Sequence, residues 1–154
     1  MPKWKDLLME IEKIEKKYGD SLRNPASDTE IQKMNLNIRQ QLGNIALPTS
    51  YIDFLKKVNG LDFNGLVIYG VDKVLLDKEV EEDIHGFIET NEIWYKNEWQ
   101  EQYVFLGDSD IALYCYDLKE RIYVELDKPS GTLMQSFENF DSMLNDALET
   151  TLLS

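Results

Sequence analysis

Closely spaced carboxylates are the residues of this sequence whose types and spacing first suggest chemistry. Asp108 and Asp110 lie two residues apart in the segment GDSD, and carboxylates at that spacing can ligate Ca²⁺. The segment lacks the further oxygen ligands of the calcium loop D-x-[DN]-x-[DN]-G, so no metal site is predicted. Together with His85, these two carboxylates leave one alternative open, a small carboxylate-dependent hydrolase or ligand-binding domain.

The chain has a single histidine and a single cysteine, which limits nucleophilic chemistry. His85 follows a run of acidic residues, a setting typical of a solvated surface histidine. Cys115 falls on the inward face of a predicted strand, where a thiol packs as a small apolar side chain. The sequence also lacks a P-loop, a G-x-G-x-x-G pattern, and the H-E-x-x-H and G-x-S-x-G motifs. We therefore predict no catalytic residue, no metal and no cofactor.

Aromatic side chains among carboxylates favour a protein-binding surface instead. In such surfaces rigid aromatic anchors supply contact energy, and charged neighbours accelerate association. The predicted partner-binding residues are Asp72, Asp77, Glu79, Glu82, Glu92, Trp94, Trp99, Asp108, Asp110 and Tyr116. A competing interpretation places some of the tyrosines in the core, because large side chains are buried wherever a second layer covers a sheet.

The distribution of charge indicates what kind of partner to expect. The formal net charge is −13, yet residues 1–71 are nearly neutral, while residues 72–154 hold 20 acidic and 6 basic residues. A field of this sign repels nucleic acid and anionic membranes and accelerates association with a basic protein. The alternative interpretation is that the charge serves solubility alone. No apolar run approaches the roughly 20 residues that span a bilayer. The amino-terminal segment has no signal-peptide pattern, and a lone cysteine is typical of a reducing compartment, so we expect a cytoplasmic protein.

Helical periodicity dominates the first third of the chain. Apolar residues at spacings of three and four predict a helix over residues 4–18 that ends at Gly19. Ser27 and Glu30 have the spacing of a capping box that opens a second helix. A third helix is predicted after Pro48, capped by Thr49 or Ser50, and ends at Gly60.

The remainder of the chain changes to strand periodicity. Residues 65–71 predict a buried strand, residues 72–84 a loop or irregular strand, and residues 86–97 a helix. Further strands are predicted in QYVFLG, IALYCYD, RIYVELD and TLMQSF, and a closing helix in the tail. In the central hairpin, Ile111, Leu113 and Cys115 are predicted on one face, and either Tyr116 or Tyr114 lies opposite Tyr123. We favour Tyr114, which leaves residues 117–120 as a four-residue turn, because Lys119-Glu120 lacks the Asn or Gly of a two-residue turn.

These elements predict the fold class and domain organisation. We expect an α+β protein with N-terminal helices, a mainly antiparallel sheet of about 4–6 strands and a C-terminal helix. No repeat, linker or low-complexity tract divides the chain, so residues 1–154 are predicted to form a single domain.

An ordered series of motifs over about residues 27–150 resembles the SUKH superfamily. A helix is followed by Leu47-Pro48, an aromatic helix ending in Asn59-Gly60, and a strand ending in Gly70. Then come VFLGDSDIALYCYD and RIYVELD, with Gly107-Asp108 and Asp117 at the matching positions, and SFENFDSMLNDAL as the closing helix. The acidic and aromatic stretch 72–101 matches no sharp pattern of that superfamily.

The resemblance implies a SUKH-like, cytoplasmic and non-enzymatic binding fold. Many bacterial members resemble immunity proteins that neutralise polymorphic toxins, often nucleases, delivered between competing cells. Others are similar to regulators of fungal cell-wall assembly, which act through protein partners. We therefore expect an immunity protein that binds a basic toxin domain, with a regulatory scaffold as the alternative.

Overall fold

A computed structural model, which describes residues 3–78, 80 and 84–153, confirms the α+β class. The helices of this part of the chain are α1 (Trp4–Lys17), α2 (Asp28–Gln41), α3 (Thr49–Leu55), α4 (Phe87–Trp94) and α5 (Phe140–Leu152). Short 3-10 turns lie at Lys73–Leu75 and Glu98–Gln102. The strands are β1 (Leu61–Phe63), β2 (Leu66–Ile68), β3 (Tyr103–Asp108), β4 (Ala112–Asp117), β5 (Ile122–Asp127) and β6 (Leu133–Phe137).

The six strands form one antiparallel sheet whose spatial order is the order of the chain, β1-β2-β3-β4-β5-β6. A parallel bridge between Gly70 and Gly86 lies within the long β2–β3 connection that carries α4. Because direction reverses at every strand, alternate connections lie at the same end of the sheet. The β1–β2, β3–β4 and β5–β6 turns therefore meet at one end, which we call the hairpin end.

Two of the three local signals considered in the N-terminal third are found in the structure. Ser27 Oγ accepts from the Glu30 amide at 3.1 Å, and the Glu30 carboxylate accepts from the Ser27 amide at 2.8 Å, which confirms the capping box. Gly19 has φ +81° just beyond α1, in the left-handed region that glycine adopts at low cost. The predicted Thr49 or Ser50 cap is wrong, because Pro48 is the N-cap of α3 and no side chain caps this helix.

The central hairpin has the register that the sequence analysis ranked second. Tyr116, rather than Tyr114, pairs with Tyr123. The turn has four residues as expected, but it spans 118–121 instead of 117–120. Asp117 fixes this position, since its carboxylate accepts from the amides of Lys119 at 2.9 Å and Glu120 at 3.1 Å. Arg121 then closes the turn at φ +56°.

The two faces of the sheet carry different side chains, because residues paired across strands share a face. One face carries Phe105, Cys115 and Val124, and the other carries Tyr116, Tyr123 and Phe137. Helix α5 packs on the tyrosine face, with the Phe140 ring 6.4 Å from that of Tyr123. Trp4 Nε1 donates to Asp141 Oδ1 at 2.7 Å and so joins the first helix to the last.

Helix α4 takes the place of a strand beside β3. The side chain of Asn91 donates from Nδ2 to the Phe105 carbonyl at 2.9 Å, and its Oδ1 accepts from the Phe105 backbone amide at 2.8 Å. It therefore provides hydrogen bonds to backbone groups of β3 that β2 does not reach. The predicted helix over residues 86–97 is thereby confirmed, although it is shorter. The described part of the loop predicted at 72–84 contains the 3-10 turn Lys73–Leu75.

Candidate protein-binding surface

Three turns come together at the hairpin end of the sheet. Gly65 lies so close to Asp110 that a Cβ on the glycine would stand 3.2 Å from Asp110 Oδ2. The Lys128 amide donates to the Ile111 carbonyl at 2.9 Å and ties the β5–β6 turn to the β3–β4 turn. Residues far apart in sequence therefore present one surface. We define the hairpin-end surface as Trp99, Asp110, Ile111, Leu133 and Met134.

Trp99 is the predicted site residue that stands out on this surface. Its indole, 47% exposed, lies against the β5–β6 turn, where a Cβ on Gly131 would come within 2.6 Å of Trp99 Cη2. The ring of Tyr103 packs edge-on against the indole, 6.2 Å away between centroids. A half-exposed tryptophan held in one position by its neighbours has the character of a binding hot spot.

Three further apolar side chains of the hairpin-end surface are not among the predicted partner-binding residues. Ile111, Leu133 and Met134 are 65%, 60% and 51% exposed. The prediction that Ile111 faces inward with Leu113 is wrong, because β4 begins only at Ala112 and Ile111 belongs to the preceding turn. Met134 lies where the β5–β6 register shifts. The sequence feature that could have indicated Leu133 and Met134 is the segment Leu133–Phe137, which has no charged residue and no regular alternation of apolar and polar residues.

Asp108 and Trp94 lie beneath the surface and support it. Asp108 accepts a hydrogen bond from the Tyr69 hydroxyl and pairs with Lys128 at 3.2 Å. The same Tyr69 hydroxyl accepts from Trp94 Nε1 at 3.2 Å, while the Trp94 ring stacks on Phe105. Burial, with the adjacent Asp108 charge, raises the pKa of Tyr69. This network pairs the Asp108 carboxylate with a lysine and a hydroxyl and so holds the end of β3 in place.

Asp110, by contrast, is exposed, and it lines a cleft of about 390 Å³ between the sheet and α5. Glu125 and Asp146 also line this cleft, and none of the described residues around it is a lysine or arginine. Burial, and then the charge of Asp146, raises the pKa of Glu125; burial, and then Glu149, raises that of Asp146. The cleft is therefore a region of uncompensated negative charge next to the hairpin-end surface.

Other predicted site residues lie elsewhere. Asp72 is only 7% exposed, and its two carboxylate oxygens accept from the amides of Ile88 and Glu89, each at 2.9 Å. Burial raises the pKa of Asp72 despite these bonds. Asp77 pairs with Lys33 at 2.8 Å, and that hydrogen-bonded lysine lowers the pKa of Asp77. Asp72 therefore serves the fold, and Asp77 joins its loop to α2.

Tyr116 and the remaining acidic residues do not join the hairpin-end surface. Tyr116 is half-buried, 4.9 Å from the Tyr123 ring, near the end of the sheet that carries the β4–β5 turn. It lines a separate cleft of about 520 Å³ with residues 44–46 of the α2–α3 loop. Glu92 is exposed on α4. Glu79 and Glu82 lie outside the described residues.

The side chains considered for catalysis have different surroundings. Cys115 is buried, and burial raises its pKa well above the ordinary value, which disfavours the thiolate. His85 is exposed, whereas Asp108 is held by Tyr69 and Lys128. Across residues 3–78, 80 and 84–153, no three His, Cys, Asp or Glu side chains are grouped so that they could hold a metal ion.

Comparison with known proteins places the chain in a family. None of the helices in the described segments is long and apolar enough to cross a membrane. A search of curated proteins finds no match. The sequence profile of one family matches residues 25–146, which is most of the chain and agrees with the resemblance noted above. On this match the chain belongs to the SMI1 / KNR4 family (SUKH-1).

Proposed function

We propose that this protein is a cytoplasmic, single-domain immunity protein that neutralises a basic toxin domain by binding it. SUKH-family domains are generally non-catalytic immunity or regulatory proteins, and family membership supports a role of this kind. The observation that carries the proposal is the hairpin-end surface, where four exposed apolar side chains, Trp99, Ile111, Leu133 and Met134, lie beside an acidic cleft.

The chemistry of this surface suits a protein partner better than a small substrate. Exposed apolar anchors at the end of a sheet offer contact area, whereas enzyme sites are usually concave and hold a few convergent polar groups. A partner that buries the Trp99 indole gains apolar contact at low entropic cost, since the ring is already held against Gly131. The binding mode we propose is occlusion, in which the docked protein blocks access to the toxin's active site.

The excess of negative charge supports a basic partner. Residues 72–154 carry a net charge of −14, and the cleft carboxylates Glu125 and Asp146 form no ion pair with a lysine or arginine of the described part of the chain. Nucleases bind a polyanion and carry complementary positive charge around their active sites. A negative protein surface is therefore suited to cover such a site.

Co-expression with a toxin domain encoded beside this gene tests the proposal. We expect the wild-type protein to restore growth and to co-elute with the toxin domain in gel filtration. The double variant Trp99→Ala/Met134→Lys should lose both properties. Met9→Lys is the matched control, because Met9 is 59% exposed on α1, away from the hairpin end. Absence of both rescue and complex contradicts the proposal for that toxin, and a complex without rescue favours a regulatory scaffold.

A further inference from the structure

Strand β6 is an open edge of the sheet. It pairs with β5 on one side, and no strand of the described residues pairs with its other side. Edge strands present free amide and carbonyl groups that can pair with another chain, and proteins usually protect them with charged residues, proline, a covering element or a bulge. Residues 133–137 contain no charged residue and no proline, and four of the five are exposed. Within the described residues, the protective device at this edge is the register shift at Met134.

The open edge adjoins the acidic cleft. Gln135 pairs with Glu125 across the two strands, so their side chains share a face, and both line the cleft together with Asp146. A strand added outside β6 would place every second side chain on that face, beside Gln135. A lysine or arginine there could reach Glu125 and Asp146, whereas a carboxylate would be repelled.

We infer that the partner contributes an extended basic segment, which adds to β6 as a seventh strand of the sheet. Main-chain hydrogen bonds to β6 provide the pairing, and the basic side chains enter the acidic cleft. The inference rests on the proposed function in one respect, namely that the partner is a protein. It goes further by specifying which strand is used and what the bound segment must carry.

A second copy of this chain is a poorer occupant of the same edge. Antiparallel pairing of two β6 strands would bring two acidic clefts together, each lined by Asp110, Glu125 and Asp146. Like charges placed opposite each other across strands are destabilising, and the two chains would each carry a net charge of −13. Charge therefore favours a basic segment over self-association.

The first test uses a designed probe, an octapeptide that alternates lysine and valine, with an alternating glutamate–valine octapeptide as the control. Amide hydrogen exchange of the full chain is followed by NMR with the lysine peptide at about ten times its Kd. We expect the outward-facing amides of β6 to exchange roughly tenfold more slowly, in proportion to occupancy, and the glutamate peptide to have no effect. Absence of protection in β6, or equal protection by both peptides, overturns the inference.

The second test uses variants of the edge. Gln135→Lys adds a positive charge beside the cleft, and Met134→Lys adds one at the register shift, so each should weaken lysine-peptide binding by about tenfold or more. Met9→Lys should leave peptide binding unchanged. Retention of wild-type affinity in both edge variants, or dimerisation of the wild-type chain that Met134→Lys abolishes, overturns the inference.

The two proposals fail in different ways. If the toxin domain is neutralised but Gln135→Lys still neutralises it fully and β6 gains no protection in that complex, the strand-addition inference is wrong and the immunity function stands. If no toxin is neutralised but the lysine peptide protects β6, the edge binds basic strands and the immunity function is wrong for that toxin.

Discussion

At the scale of single residues, the position of Trp99 depends on the absence of a side chain at Gly131. This glycine has φ +74°, and its Cα faces the indole closely enough that a Cβ would overlap the ring. We expect Gly131→Ala to lower the free energy of unfolding by more than the roughly 1–2 kcal/mol of backbone strain, because the added Cβ also overlaps the indole. The variant should also move the indole and change its fluorescence emission. Gly19→Ala is the control, because Gly19 has φ +81° but nothing within 4 Å of a Cβ. If the two variants lose equal free energy of unfolding and Gly131→Ala leaves the fluorescence emission unchanged, the contact between Gly131 and Trp99 is unimportant.

Glu125 gives the molecule a pH dependence whose sign follows from burial. Its pKa is raised above the ordinary 4.5, because burial and the nearby Asp146 charge disfavour the ionised form. The stability associated with the protonated form is therefore lost as pH rises through the folded-state pKa. We expect Glu125→Gln to be more stable than wild type at pH 7, by less than about 1 kcal/mol because the group is partly exposed. That gain should vanish towards pH 4.5 and below.

Thermal unfolding of both proteins across this pH range measures the effect of Glu125. Glu138→Gln is the control, since Glu138 is exposed and does not line the cleft. A gain that is constant with pH, or one that the control reproduces, contradicts the proposed origin of the effect.

At the scale of elements, Asp72 holds the start of α4 from outside the helix. It accepts from two first-turn amides, those of Ile88 and Glu89, whereas the N-cap Gly86 has no side chain to do so. We expect Asp72→Ala to destabilise the protein by about 1–3 kcal/mol, because buried amides lose their acceptors. Asp72→Asn should cost less, since it keeps one acceptor oxygen. Chemical denaturation measures both changes, and an Asp72→Ala effect no larger than that of the exposed Asp110→Ala would contradict this role.

Sequence patterns predict the helices and the strand set well, since periodicity and caps are local signals. The hairpin register was ranked wrongly because it depends on Asp117, which stabilises a four-residue turn through the amides of Lys119 and Glu120. Strand β1, only three residues long, was not predicted, because so short a segment shows no period.

The candidate site was less accessible to sequence reasoning than the fold. Trp99 was predicted from its acidic neighbours, but Leu133 and Met134 become surface residues only because β6 is an edge strand. Asp72 looked like part of an acidic surface, yet it is buried beneath α4. Whether a charged residue faces solvent or satisfies a helix end depends on contacts between residues distant in sequence.

At the scale of the whole molecule, the negative charge of residues 72–154 should control how fast a basic partner binds. We expect the association rate constant to fall at least several-fold between about 0.02 M and 0.15 M salt, because the Debye length shortens, while the dissociation rate changes little. Stopped-flow mixing at the two salt concentrations measures both rates. An association rate that does not depend on salt would show that the acidic half does not steer binding.

The most direct test of the central claim is to measure by calorimetry the affinity of the Trp99→Ala variant for the purified toxin domain. Truncation of a hot-spot tryptophan typically costs 2 kcal/mol or more, so we expect Kd to rise about 30-fold or more. Tyr18→Ala is the control, since Tyr18 is an exposed aromatic residue just beyond α1, and its Kd should stay within about twofold of wild type. A Trp99→Ala complex as tight as wild type, or an equal loss in Tyr18→Ala, would contradict binding through the hairpin-end surface.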